Sequence, residues 1–87
     1  MAAGGITVTT TISQITGLTD GMTYRGQVRG RASVLYTEVD GSTAPTADSA
    51  HWFLSNPGDA ILLKPQSGKS LWIYADESGS SVTYIEE

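Results

Sequence analysis

The chain has 87 residues, a formal net charge of −4, 16% charged residues, a single His and no Cys. That length is one domain, and without Cys or a second His it has neither a disulfide nor a thiolate or histidine-rich metal site to stabilise it. A net charge of −4 with so few charged residues argues against general nucleic-acid binding, which needs clustered Lys and Arg, although the three arginines fall within seven residues, Arg25 to Arg31.

Taken from the N-terminus, residues 1–12 read as an arm or edge strand. Met1 to Thr19 carries no ionisable side chain. Ile6 to Ile12 is Thr-rich, with Ile6, Val8, Thr10 and Ile12 on one face and threonines on the other. Edge strands normally carry Lys, Pro or a bulge against unwanted pairing. A bare strand therefore predicts an edge that is covered, either within the domain or by adding to a neighbour's sheet. Thr16-Gly17 and Asp20-Gly21 mark turns. Thr23 to Val28 and Arg31 to Val39 then form a long extended stretch, bulged or bent at Gly30. Tyr24, Gly26, Val28, Ala32, Val34 and Tyr36 share one parity; Arg25, Gln27, Arg29, Arg31 and Ser33 share the other. An unbroken strand then has one apolar face and one basic, hydrogen-bonding stripe, with Arg31 lost from it if Gly30 is a bulge. That stripe is either a solvated outer face whose arginines pair with nearby acids, or a partner-binding surface of Arg25, Gln27 and Arg29.

Gly41 to Ser49 reads as the one long loop, with room for a short turn over Thr46 to His51. His51 to Leu54 is a short apolar piece. Asn56-Pro57-Gly58-Asp59 is the strongest turn, because Pro57 presets φ and Gly58 supplies the positive φ that type II needs. Ala60 to Lys64, Leu71 to Ala75 and Val82 to Glu86 are predicted as a C-terminal antiparallel meander. In its middle strand Leu71, Ile73 and Ala75 face one way and Trp72 and Tyr74 the other. Either that strand lies between two layers, or Trp72 and Tyr74 meet a partner. The prediction is an all-β fold, a small β-sandwich or β-barrel, with residues 1–87 as one domain.

No catalytic set is readable, and the chain is expected to be non-enzymatic and cofactor-free. Gly68-Lys69-Ser70 resembles part of a phosphate loop, but position 63 is Leu63 where that motif needs Gly, and a strand follows where it needs a helix. His51, beside Trp52 and Phe53, reads as a packing or interface residue, since no nucleophile elbow accompanies it. Asp76 and Glu77 read as a solvated turn. Asp40, Asp48 and Asp59 are the one set of acids open to a Ca²⁺ reading, without the ligand register of an EF-hand. No secretory signal or membrane-length apolar run is readable. The chain is thus expected to stay in the cytoplasm or to leave it inside an assembly.

Two resemblances add to this. Ile15-Thr16-Gly17-Leu18-Thr19-Asp20-Gly21-Met22-Thr23-Tyr24 resembles the turn before a late strand of fibronectin type III domains. It lies too early in the chain for that fold and reads as shared turn chemistry, a Tyr corner. Arg25-Gly26-Gln27-Val28-Arg29-Gly30-Arg31-Ala32, Pro57-Gly58-Asp59-Ala60 and Gly68-Lys69-Ser70-Leu71-Trp72-Ile73-Tyr74-Ala75, with the Val-Thr-Tyr-Ile-Glu ending, are similar to small virion proteins of tailed bacteriophages. Such proteins decorate or cement the capsid or sit at the head–tail region. The resemblance implies a structural protein, often trimeric, made in the host cytoplasm and bound to major capsid subunits or other virion proteins. The residues expected at that contact are Ile6, Val8 and Thr10 of the arm, Arg25, Gln27 and Arg29 of the stripe, and Trp72 and Tyr74. The alternative is a β-sandwich adhesion or carbohydrate-binding module using Trp52, Trp72 or Tyr74 as a stacking platform.

Overall fold

The computed structural model describes residues 3–48 and 51–87. Eight strands follow in chain order: β1 (Ala3–Val8), β2 (Ser13–Ile15), β3 (Tyr24–Gly30), β4 (Val34–Asp40), β5 (Phe53–Ser55), β6 (Ala60–Leu63), β7 (Lys69–Ala75) and β8 (Ser80–Glu86). No helix occurs among the described residues. The strands form two antiparallel sheets, a first of order β1-β8-β3-β6 and a second of order β2-β7-β4-β5. The sheets stack into a slab 16 Å thick, so the fold is an open sandwich and not a closed barrel.

Period-two alternation decides which side chains lie between the sheets. The first sheet contributes Val8, Tyr24, Val28, Ile61, Leu63 and Val82, and the second Ile15, Val34, Leu71, Ile73 and Ala75. Every buried side-chain nitrogen and oxygen among the described residues has a hydrogen-bond partner.

The predicted C-terminal meander does not form. The chain changes sheet at every connection except β4 to β5, so β6 and β8 lie in the first sheet and β7 in the second. β8 pairs with β1 and β3, whereas β7 pairs with β2 and β4. Alternation specifies which side chains point inward, and it is the same for strands in one sheet or in two facing sheets. The turns at 65–68 and 76–79 carry the chain over the rim of the sandwich.

The strand expected from Ile6 to Ile12 also ends early, at Val8. The Thr9 carbonyl accepts the Ala75 N–H of the second sheet at 2.9 Å. The Thr11 N–H donates to Thr9 Oγ1 at 3.2 Å, and Ser13 Oγ donates to the Thr11 carbonyl at 3.1 Å. These local hydroxyl bonds compete with a ladder and turn the chain into β2. Thr10 and Ile12 therefore leave the face that Ile6 and Val8 share.

The break at Gly30 is a crossing between sheets. Gly30 has φ +110°, and a Cβ there would lie 2.3 Å from the Gly79 carbonyl oxygen. Only glycine fits this approach. Ser80 Oγ clamps the crossing, donating to the Ala32 carbonyl at 2.7 Å and accepting the Ala32 N–H at 2.9 Å. Two predicted turns are present as read. Gly58 has φ +95° and the Asp59 N–H donates to the Asn56 carbonyl at 2.9 Å. The Thr19 N–H donates to Tyr24 Oη at 2.9 Å, which is the Tyr corner.

β7 is central in its sheet, and its outer side is covered by the chain itself. Thr37 Oγ1 donates to the His51 carbonyl at 2.6 Å, bringing the end of the β4–β5 loop over that side. Trp52 then packs edge-on against Tyr74, ring centroids 4.8 Å apart. Of the short turn expected over Thr46 to His51, Ala47 and Asp48 form a turn, and residues 49 and 50 lie outside the described residues.

Candidate docking face

The outer face of the first sheet gathers the basic stripe. On β3, Tyr24, Gly26 and Val28 are buried, whereas Arg25, Gln27 and Arg29 are exposed. The cross-strand register arranges the outward residues in three rows. Ala3, Ile85, Arg25 and Leu62 form the first. Gly5, Thr83, Gln27 and Ala60 form the second. Thr7, Ser81 and Arg29 form the third. The middle row holds small side chains except Gln27, and a hollow of about 350 Å³ opens over its Ala60, Gln27 and Thr83, on the side of Arg25 and Ile85.

The arginines are not neutralised by the chain's own acids. The ion pairs among the described residues belong to Lys69, at 3.7 Å from Glu38 and 3.8 Å from Asp40 in the second sheet. Arg25 makes no hydrogen bond or ion pair with a described residue. Arg29 Nε donates to Thr83 Oγ1 at 3.1 Å, which leans its guanidinium toward the hollow and leaves its terminal N–H groups open. Gln27 Nε2 donates to the Gly58 carbonyl at 3.4 Å. Leu62, 52% exposed, and Ile85, 38% exposed, flank Arg25 with apolar area. The face offers fork-shaped guanidinium donors, the geometry that pairs with carboxylates, with apolar surface beside them.

The other sequence-predicted contact residues are dispersed. Val8 is buried and Ile6 half-buried in the core, so outside the sheet β1 offers its backbone edge instead. β1 is an edge strand and its outer side pairs with no described strand. Thr10 is exposed on the crossing to β2. Trp72 is 8% exposed, with Nε1 donating to Ser70 Oγ at 2.7 Å, and Tyr74 lies half-buried against Trp52. A sugar-stacking platform needs an open ring face, which Trp72 does not offer. Arg31 lies outside β3, on the crossing between sheets.

Lys69 begins β7 opposite Asp40 and serves its ion pairs. His51 packs edge-on to Phe53 at 5.0 Å. Asp40, Asp48 and Asp59 are not brought together; Asp59 Oδ2 accepts the Asn56 N–H of its own turn at 2.9 Å. Sequence reasoning missed Ala60, Thr83 and Gly5, whose role depends on cross-strand register. It also missed a second hollow of about 280 Å³ at the rim between β5 and β6, lined by Tyr36, Phe53, Leu62 and Leu71. Comparison with protein-family models, curated proteins and solved structures finds no match.

Proposed function

We propose that this domain is a non-enzymatic structural protein that docks on an acidic surface of a larger assembly through the outer face of its first sheet. Its place is the virion of a tailed phage, as a capsid decoration or cement protein bound to major capsid subunits. The observation that carries the docking is the pair Arg25 and Arg29, exposed and without an acidic partner on one face of a chain of net charge −4. An acidic protein that keeps two arginines unpaired on one flat face holds a contact region of opposite sign to the rest of its surface. The virion setting rests on the sequence resemblance. A trimer over a capsid junction presents three such faces at once, which multiplies a modest single-site affinity.

Co-sedimentation of the purified protein with capsid shells tests this. Wild-type protein is expected to pellet with shells, and the Arg25→Glu/Arg29→Glu double variant to bind at least about tenfold more weakly with an unchanged melting temperature. Equal binding by the folded double variant, or no binding by wild type, contradicts the proposal.

A further inference from the structure

Each sheet has two edges, and three of the four are guarded against pairing with a further strand. β2 and β5 are three residues long, and β6 is four residues long between Asp59 and Lys64-Pro65. Short length, charge and proline all discourage strand addition. β1 has none of these guards. It is six residues long, and its outer side pairs with no described strand. Neither β1 nor the stretch of β8 it pairs with, Ser80 to Ile85, carries a charged side chain. The edge is therefore a neutral band two strands wide on a chain of net charge −4.

We infer that the β1 edge pairs with the same edge of a second copy, antiparallel about a two-fold axis at Ile6, joining the two first sheets into one. Two chains of like charge meet with least repulsion where neither is charged. A two-fold contact also asks only that one strand match itself. Side-chain direction and backbone hydrogen-bonding direction both alternate with a period of two. Opposed residues must therefore share parity, which identical antiparallel strands meet only when centred on a residue and not between two. Centred on Ile6, the pairing sets Ile6 against Ile6 of the partner subunit, and Gly5 against Thr7 of the partner subunit. Ile6 is half-buried at the edge and gains a β-branched neighbour, whereas centring on Gly5 opposes two glycines. The inference stands on the strand edge and not on the docking proposal, and it gives two copies where the resemblance implies three.

The test is sedimentation equilibrium of the wild type and two folded variants. A contact one strand wide is smaller than a standard interface, so the wild-type dimer is expected with a Kd on the order of 0.1–1 mM. Thr7 is exposed, and a Cβ at Gly5 meets only the Val82 carbonyl oxygen at 3.6 Å, an ordinary contact. Gly5→Lys/Thr7→Lys moves the net charge toward zero but opposes Lys to Lys twice across the axis. It is expected to dimerise at least about tenfold more weakly. Gly5→Lys/Thr7→Glu opposes Lys to Glu twice and is expected to stay within about threefold of wild type. A wild type that is monomeric at about 1 mM, or trimeric, overturns the inference. So does wild-type association by the Lys/Lys variant, or equal weakening by both variants. If a variant does not fold, amide hydrogen exchange of the wild type decides. Protection is expected to rise with protein concentration in β1, and no rise, or a rise in β5 or β6 instead, overturns the inference. Each of these outcomes leaves the arginine-dependent shell binding to stand or fall by its own test.

Discussion

Tyr24 shows how one side chain joins local and global structure. Its ring is buried, packs edge-on against Tyr84 at 5.7 Å, and its hydroxyl receives the Thr19 N–H. Tyr24→Phe keeps the packing and removes the acceptor from a partly buried donor. The expected loss is about 1–2 kcal/mol in urea denaturation. Glycines of positive φ separate by what surrounds them. Gly17, at φ +85°, has open space where a Cβ would go, whereas at Gly30 a Cβ meets the Gly79 backbone. Gly17→Ala is expected to destabilise by about 1 kcal/mol, from the backbone conformation alone. Gly30→Ala is expected to lose clearly more than that, because the crossing between sheets must move as well. Equal losses for the two variants would contradict the account of that crossing.

At the scale of elements, β1 is both an edge and part of the core. It pairs along its whole length with β8 and contributes Val8. Deleting residues 1–8 therefore removes a strand as well as an arm. A lowering of the melting temperature by at least about 12 °C is expected, from a loss of roughly 3 kcal/mol or more in a domain of this size. Much at this scale was legible beforehand. The all-β class, the break at Gly30, the turn at Asn56 to Asp59, the Tyr corner and the outward parity of Arg25, Gln27 and Arg29 all follow from alternation and turn chemistry. The end of β1 at Val8 was not, because Ile6 to Ile12 alternates without a break. What stops the ladder there is hydroxyl bonding by Thr9, Thr11 and Ser13, a competition invisible to a count of apolar positions. The meander failed for a different reason. Ile61, Leu71 and Val82 carry the same inward signal whether their strands share a sheet or face each other across the core.

At the scale of the whole molecule the two outer faces differ in kind. The second sheet covers the outer side of β7 with its own chain, through Trp52 on Tyr74 and the His51 carbonyl on Thr37, and leaves Leu54 of β5 exposed. Trp52→Ala is expected to destabilise by about 1–3 kcal/mol and to alter the near-ultraviolet circular dichroism of the remaining aromatics. The first sheet leaves its outer side open, with Arg25 and Arg29 lacking an acidic partner among the described residues on either side of the row of Gly5, Thr83, Gln27 and Ala60. The parity of the arginines was readable from sequence, but the row between them was not, since Gly5, Thr83 and Ala60 come together only through the order β1-β8-β3-β6. In the proposed docking, this face and not net charge holds the protein on a capsid. The most direct measurement compares capsid-shell binding of Arg25→Ala/Arg29→Ala with that of Lys69→Glu, which changes the net charge equally but lies in the second sheet. The arginine variant is expected to lose binding, and the lysine variant, once confirmed as folded, to retain most of it. Equal loss in both, or retention by the arginine variant, would contradict the proposed docking.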